Sequence, residues 1–166
     1  MKTAFVTYAV TFVMATALFA QSRSVTLANV YAGADGLAHV VDATGKDTAF
    51  KKEKNQVAVS RLKLSPDKQT AGWQIERENC CTSYSIATRL AMYRAGANLI
   101  LIADGQMIYD WCFVGEGTEV ALSSGPTHGV TSLQLSLYDS RSGRVKQKWR
   151  GEPNETPPTW AKDLEQ

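Results

Sequence analysis

Cysteine, histidine and proline are scarce in this sequence, and neither sign of charge dominates it. Its 166 residues contain three cysteines, two histidines and five prolines, with 18 basic against 16 acidic side chains. Three cysteines exclude a disulfide-packed miniprotein, and a formal net charge of +2 removes the electrostatic case for binding nucleic acid. Hydrophobic residues at 44% and charged residues at 20% exclude intrinsic disorder and favour one folded domain with its own core.

Several motifs that indicate chemistry are also missing. The sequence has no glycine-rich phosphate loop, no dinucleotide fingerprint and no closely spaced zinc ligands. After the first 20 residues it has no apolar run long enough to span a bilayer. We therefore predict neither a cofactor nor a membrane span in the mature chain.

The first 20 residues have the layout of a secretory signal peptide. Lys2 is followed by an apolar run over residues 4–20, which ends in small residues before the polar Gln21. Cleavage after Ala20 is the prediction, with cleavage after Ala17 or retention as a membrane anchor as the alternatives. Cleavage implies export, so the mature domain is expected to be soluble and either periplasmic or secreted.

Beyond the signal peptide, apolar residues alternate with a period of two, which predicts strands rather than helices. We assign residues 21–155 to one β domain and residues 156–166 to a C-terminal tail with one short helical turn. The continuous run Leu99–Ile102 predicts a central strand covered on both faces, and Asp104-Gly105 predicts a two-residue hairpin turn. The predicted strands lie near residues 25–31, 38–42, 56–63, 70–77, 87–94, 98–103, 107–114, 118–123, 132–139 and 144–150.

A weak internal repeat with a spacing of 49 residues runs through this domain. Residues 64–73 and 113–122 each hold an apolar strand end, a tight acidic turn and a second apolar strand. Each is followed by an aromatic-centred strand and then by a closing tryptophan strand, at Trp111 and at Trp149. A period in the forties with several short strands is typical of propeller blades.

The turn over residues 65–68 and the hairpin over residues 137–143 resemble the blade motifs of WD-repeat-like bacterial propellers. Other stretches resemble uncharacterised exported bacterial proteins; they are residues 79–86, 111–113, 128–129 and 158–162. The second resemblance covers about residues 55–165 and implies a shared fold. It implies no activity, so it transfers no functional residue to this chain.

Two blade-like units are too few for a closed propeller, which needs about four to eight blades. The alternation of Trp73 with Gln74 implies that each sheet has one solvated face. The predicted fold class is therefore all-β, an antiparallel meander whose two propeller-blade-like units form a small two-sheet sandwich or half-barrel. The alternatives are capping by the N-terminal strands, a partial third unit near the start, and assembly with other copies.

The sequence contains three cysteines: Cys80, Cys81 and Cys112. Because oxidising compartments favour disulfides, an odd number of cysteines is unusual in an exported chain. An odd count leaves one cysteine over, and the preferred interpretation is a structural bridge from Cys112 to Cys80 or Cys81, with a strained bond between the adjacent Cys80 and Cys81 as a rarer alternative. The functional alternative joins the three thiols with His128 as a soft-metal or redox site. Taken alone, His128 is expected to be a hydrogen-bonded loop residue.

Two further candidates are expected to be structural. Asp110 stands between Tyr109 and Trp111 in a predicted strand, and we expect it to be buried and hydrogen-bonded rather than catalytic. His39 stands beside Val40 and Val41, and we interpret it as a packing residue.

Four cations recur at every second position near the C-terminus: Arg144, Lys146, Lys148 and Arg150. This spacing predicts one exposed cationic face on the last strand. The plain interpretation is an outer strand that like charges keep from edge-to-edge pairing. The functional interpretation is a docking stripe for an anionic envelope polymer, a phospholipid surface or an acidic partner.

The predicted function is a non-catalytic exported module that binds a protein or polymer of the bacterial envelope. The alternative is a thiol- or metal-dependent enzyme or metal carrier that uses Cys80, Cys81, Cys112 and His128. A subunit that supplies blades to a larger oligomer is a third hypothesis.

Overall fold

The computed structural model describes residues 25–80, 83–102, 106–128, 133–151 and 155–164. The predicted signal peptide over residues 1–20 and the predicted turn at Asp104-Gly105 lie outside these ranges. Within them, eleven strands follow one another along the chain: β1 (Leu27–Ala32), β2 (Ala38–Asp42), β3 (Asp47–Ala49), β4 (Gln56–Leu64), β5 (Thr70–Arg77), β6 (Ile86–Arg94), β7 (Ile100–Ile102), β8 (Met107–Val114), β9 (Glu119–Gly125), β10 (Leu133–Asp139) and β11 (Val145–Gly151). The only helical segments in the same ranges are two 3₁₀ turns, Gly115–Gly117 and Thr159–Ala161.

The period-two alternation locates ten of these strands to within a few residues. The bounds of β2, β5 and β8 are the predicted ones. The strand β3 is missing from the prediction, because its three residues carry no apolar alternation. The helical turn predicted for the tail is confirmed at Thr159–Ala161, directly after Pro158. No helix in the described ranges is both long enough and apolar enough to cross a bilayer.

The strands form three antiparallel sheets, and each sheet is a meander in sequence order. Sheet A contains β1 to β3, sheet B contains β4 to β7, and sheet C contains β8 to β11. Each sheet keeps two edge strands, so none of them closes into a barrel. The all-β antiparallel meander is confirmed. It has three sheets rather than two, because the N-terminal strands build a sheet of their own.

Sheet B lies between the other two sheets and is covered on both faces. Its residue Trp73 packs with Val40 of sheet A, whereas Leu90 packs with Trp111 of sheet C. Since alternate residues of β5 face opposite sheets, the first six residues of this strand are all buried. The expectation of one solvated face per sheet is therefore wrong for sheet B, and the side chain of Gln74 is buried.

The apolar run Leu99–Ile102 was expected at the centre of a sheet, and this expectation is wrong. The strand β7 is an edge strand of sheet B. Ile102 faces the core, but Leu101 is 36% exposed. Four consecutive apolar residues do not distinguish a central strand from an edge strand that packs one face only.

The outer face of sheet C is covered by the C-terminal segment. Ala161 and Leu164 are buried against Cys112, Leu135 and Leu137. The segment therefore acts as a fourth layer. It is also hydrogen-bonded to β11, because the indole of Trp160 donates to Gln147 Oε1 at 3.0 Å.

Sheets B and C are the two units of the 49-residue repeat, with one correction. The turn over residues 65–68 and the turn Gly115–Gly117 occupy equivalent positions, and they touch: a Cβ on Gly117 would lie 2.6 Å from the Cβ of Ser65. Trp149 closes sheet C in β11, but Trp111 opens sheet C in β8. The closing strand of sheet B is β7, which has no tryptophan.

Candidate functional site

The cysteines that the structure describes do not form one site. Cys112 lies in β8 and is buried beneath the C-terminal segment, whereas Cys80 is exposed in the loop that follows β5. Cys112 carries a free thiol, and the described residues contain no disulfide. Cys81 lies outside those residues. The bridge from Cys112 to Cys80 or Cys81 is thus not formed in this structure and stays a prediction.

The environment of Cys112 suppresses thiol chemistry. Burial raises the pKa of this thiol to about 11, an effect that the positive charge of Lys63 opposes and the charges of Asp110 and Asp163 reinforce. A thiol acts as a nucleophile or metal ligand in its thiolate form. At neutral pH Cys112 is protonated and therefore a poor nucleophile.

His128 is exposed in the loop after β9. Within the described ranges, no group of three or more His, Cys, Asp or Glu side chains is arranged to hold a metal ion. The part of the chain that the structure describes therefore does not assemble the predicted thiol–histidine site from Cys80, Cys112 and His128.

Asp110 is buried and hydrogen-bonded, as predicted. Its Oδ1 accepts a hydrogen bond from Arg61 Nη1 at 2.7 Å and lies 3.7 Å from Lys63 Nζ. Lys63 also donates to the carbonyl of Trp111, with its Nζ 5.2 Å from the centroid of the indole ring. The Trp111 indole in turn donates to the carbonyl of Arg61 at 3.0 Å. These contacts fasten the edge strand of sheet B to the edge strand of sheet C.

Two β-bulges aim the side chains of this ion pair. In β4, Arg61 and Leu62 together oppose one residue of β5, and Arg61 adopts a φ of 46°. Such a positive φ is uncommon for a residue with a side chain. In β8, Tyr109 is the extra residue that precedes Asp110. Because these contacts link neighbouring sheets, we interpret the cluster as a structural latch.

The basic residues of β11 are exposed on an outer strand, as predicted. The strand β11 lies at the edge of sheet C. All four of the predicted cations are exposed: Arg144, Lys146, Lys148 and Arg150.

The four cations do not share one face, however, and that part of the prediction is wrong. Neighbouring residues of β10 pair with Gln147 and with Val145, so Lys146 is the extra residue of a β-bulge. Lys146 forms a salt bridge with Glu119 of β9. A bulge shifts the alternation by one residue, and an unaligned sequence does not reveal where it falls.

Two of the cations line a groove at the edge of sheet C, which we call the β11 groove. Its volume is about 330 Å³. The residues that line it come from two adjacent strands: Gln134, Leu135 and Ser136 of β10, and Lys148, Trp149 and Arg150 of β11. The groove therefore combines the positive charges of Lys148 and Arg150 with the amide side chain of Gln134, while the indole of Trp149 packs on the opposite face of sheet C.

Sheet A carries a charged network that the sequence does not reveal. The His39 ring lies between two carboxylates, with Nε2 3.1 Å from Asp35 Oδ2 and Nδ1 3.2 Å from Asp47 Oδ2. Tyr31 stacks on this ring and donates to Asp47 at 2.6 Å. His39 packs on Tyr31, as expected for a packing residue, but it does so outside the apolar core. Its neighbour Val40 faces the core, and alternation turns His39 to the opposite face.

The electrostatics of this network follow from its geometry. The hydrogen bond to Asp35 is the main cause of a raised His39 pKa, and Asp47 adds to it. The pKa of Asp47 is lowered, chiefly by the hydrogen bond from Tyr31. The two carboxylates stabilise the protonated form of His39, and the contacts of its ring link the β1–β2 turn to β3.

One of these clusters could have been found from the sequence. Arg61 and Asp110 are separated by 49 residues, the spacing of the repeat. Equivalent positions of stacked repeat units tend to be neighbours, so a pair of opposite charges at the repeat spacing predicts an ion pair. No comparable pattern links His39 to Asp47, because Asp47 lies in the strand that the alternation misses.

The chemistry of these surfaces is the basis on which function has to be inferred. No protein-family model matches the chain, and no curated protein sequence matches it.

Proposed function

We propose that this protein is a non-catalytic binding module that holds an anionic polymer of the cell envelope in the β11 groove. The observation that supports this proposal is the pairing of Lys148 and Arg150, both exposed, along a groove of about 330 Å³. Two cations spaced about 7 Å apart on one strand can bind successive anionic groups of a chain.

The layout of the groove favours binding over a purely protective role. Like charges on an edge strand discourage edge-to-edge pairing wherever they point. Edge protection alone requires no groove and no neutral polar side chains beside the cations. Here the partly buried Gln134 lies beside the two cations and its amide oxygen faces the guanidinium of Arg150, so its side chain adds a hydrogen-bonding group to the cationic surface, whereas Ser136 is buried.

The compartment is part of the proposal and rests on the sequence. The signal-peptide layout of residues 1–20 supports export to the periplasm or the medium. Anionic polymers are abundant on cell envelopes, so an exported domain with a cationic groove would meet such a ligand. Envelope proteins with acidic surfaces are the related class of partner.

The test is binding of a sulfated dextran, with neutral dextran as the comparison polymer. The wild-type protein should bind only the sulfated form, and binding should weaken with added salt because the Debye length falls to about 8 Å at 0.15 M. The double variant Lys148→Glu with Arg150→Glu should bind about tenfold more weakly or not at all. Its melting temperature should stay close to that of the wild type, because both side chains are exposed.

The matched control is Arg141→Glu with Arg144→Glu. These residues are exposed at the β10–β11 turn and change the net charge by the same amount, but they do not line the groove. The control should retain binding. If both double variants lose the same amount of binding to the sulfated dextran, the effect is one of net charge and not of the groove. If the wild type does not bind the polymer, edge protection remains as the role of the cations.

A further inference from the structure

A second groove lies where the ends of sheets B and C meet, and we call it the loop-end groove. Its volume is about 360 Å³, near the lower end of the range for ligand sites in proteins. It is lined by the end of β5, the start of β6, the start of β8 and Thr127 of the loop after β9. The residues that matter here are Arg77, Ile86, Thr88, Arg89, Gln106 and Met107.

Polar atoms without hydrogen-bond partners are concentrated at this groove. Six buried side-chain atoms in the described ranges have no partner, and three of them belong to groove residues: Arg77 Nε, Thr88 Oγ1 and Gln106 Oε1. Each such atom costs free energy unless a partner satisfies it. All three residues are only partly buried, so rotation about side-chain bonds can turn these atoms toward a molecule in the groove.

The charges of the groove cancel, which argues against a simple anion. Arg89 Nη1 lies 2.8 Å from Glu53 Oε2, and Arg77 Nη2 lies 3.6 Å from the same oxygen. Glu78 also lines the groove. Both guanidinium groups are therefore paired with the Glu53 carboxylate, and Glu78 adds a second negative charge at the groove, so a ligand gains little from net charge.

The unsatisfied atoms require a ligand that both donates and accepts. Arg77 Nε needs an acceptor, Gln106 Oε1 needs a donor, and the Thr88 hydroxyl can bond to either. An uncharged secondary amide has one donor and one acceptor, so it matches this set. Ile86 and Met107 add an apolar wall beside the polar atoms.

We propose that the loop-end groove binds a short extended peptide segment of a partner protein. A backbone carbonyl of the peptide accepts from Arg77, a backbone N–H donates to Gln106, and an aliphatic side chain packs on Ile86 and Met107. A peptide fits better than an N-acetylated sugar, because sugar rings are commonly held on aromatic faces and none of the described residues that line this groove is aromatic. The proposal is independent of the β11 groove, which involves none of these residues.

The experiment is an NMR titration of the ¹⁵N-labelled protein with the blocked dipeptide N-acetyl-Leu-Leu-methylamide. Shift changes should concentrate at the groove residues. Sodium acetate and N-acetylglucosamine at the same concentrations should produce much smaller changes. Absence of localised shifts with the dipeptide would overturn the proposal, and so would equal or larger shifts with the sugar.

Two variants test whether the unsatisfied atoms make the contacts. Thr88→Val is isosteric and replaces the hydroxyl by a methyl group, whereas Gln106→Met keeps an unbranched side chain of similar length and removes the whole amide, so each should weaken dipeptide binding about tenfold. Thr88→Val should not lower the melting temperature, since the Thr88 hydroxyl makes no hydrogen bond in the free protein. Ser123→Ala is the control, because Ser123 Oγ is also buried without a partner but does not line the groove.

Each outcome with the variants is decisive. Retained binding in both groove variants would show that the three atoms do not contact the peptide. A lower melting temperature in Thr88→Val would show that the Thr88 hydroxyl is already satisfied in the free protein, which removes the basis of the proposal. Weaker binding in Ser123→Ala would show that the effect is not specific to the groove.

Discussion

At the scale of a single residue, Cys112 shows how position in the fold limits chemistry. The residue carries one of the three thiols in the sequence, yet its side chain is buried beneath the C-terminal segment, and this burial raises the pKa of the thiol to about 11. Its neighbours in the cluster are apolar, among them Ala121, Leu135 and Leu164. The geometry therefore assigns Cys112 to packing, as a small apolar side chain.

Replacing this thiol by a hydroxyl tests that assignment. Cys112→Ser should lower the free energy of unfolding by about 1–3 kcal/mol, because a hydroxyl is buried among apolar side chains. Since the structure holds a free thiol, the loss should be the same with and without reductant in urea denaturation. Cys80→Ser, at an exposed position, should cost much less. A loss seen only without reductant would instead establish the disulfide predicted from the sequence.

At the scale of an element, one histidine contacts two carboxylates in sheet A and links its turn to its shortest strand. The ring of His39 in β2 joins Asp35, in the β1–β2 turn, to Asp47 in β3. Gly33 allows this approach, because a Cβ there would lie 2.6 Å from the His39 ring. The sheet has only three strands and one of them is three residues long, so these side-chain contacts supplement a small number of backbone hydrogen bonds.

The stability of sheet A should therefore depend on pH. The folded pKa of His39 is raised above its ordinary value of about 6.5, so the folded state binds the proton more tightly than the unfolded state. The stabilisation is fully present below about pH 6.5 and is lost as the pH rises through the folded pKa. The wild type should exceed His39→Gln in melting temperature most at pH 5.5, and the difference should shrink toward pH 8.5.

The control for this prediction is His128→Gln, which removes the other histidine of the chain. His128 is exposed in a loop, so its replacement should leave the pH profile of the melting temperature unchanged. A constant difference between the wild type and His39→Gln across this pH range would mean that the ring contributes by packing rather than by charge.

Of the features of this fold, the positions of the strands are the ones that the sequence predicts best. Alternation of apolar residues depends only on the pleat of a strand, so it locates β5 and β8 to the residue. It does not report what covers each face, which is why Gln74 appears solvated in the sequence and is buried between sheets. It also fails at β-bulges, where the alternation shifts by one residue, as at Arg61 and Lys146.

The candidate sites were less predictable, because they depend on contacts between separate elements. The exposure of Lys148 and Arg150 follows from their period-two spacing. The groove beside them depends on the register between β10 and β11, which pairs Gln134 with Arg150 and cannot be read from either strand alone. The loop-end groove joins residues of three strands from two sheets. Nothing in the local pattern near Thr88 or Gln106 indicates that their polar atoms lack partners.

At the scale of the whole molecule, the fold is a stack whose layers are covered unequally. Sheet B has a sheet on each face, and sheet C has sheet B on one face and the C-terminal segment on the other. The Arg61–Asp110 latch adds a polar link between sheets B and C. An antiparallel stack of this kind remains discrete only if its apolar end faces are covered, because an exposed apolar face of a sheet invites association.

The C-terminal segment should accordingly control both the stability and the self-association of the molecule. Removing residues 156–166 uncovers the apolar face of sheet C that contains Leu135 and Leu137. The truncated protein should melt at a lower temperature than the wild type and have a higher mass by light scattering at the same concentration. The point variant Leu164→Ala should lower the free energy of unfolding by about 2–4 kcal/mol, since the side chain is 5% exposed.

The matched control is Lys162→Ala, at an exposed position of the same segment. It should leave both the melting temperature and the mass unchanged, because the lysine side chain covers none of the buried cluster. If the truncated protein keeps the melting temperature and the mass of the wild type, the segment does not stabilise sheet C. If Leu164→Ala alone raises the mass, then a single apolar contact at this layer is enough to keep sheet C from self-association, and the segment is a cover against association as much as a source of stability.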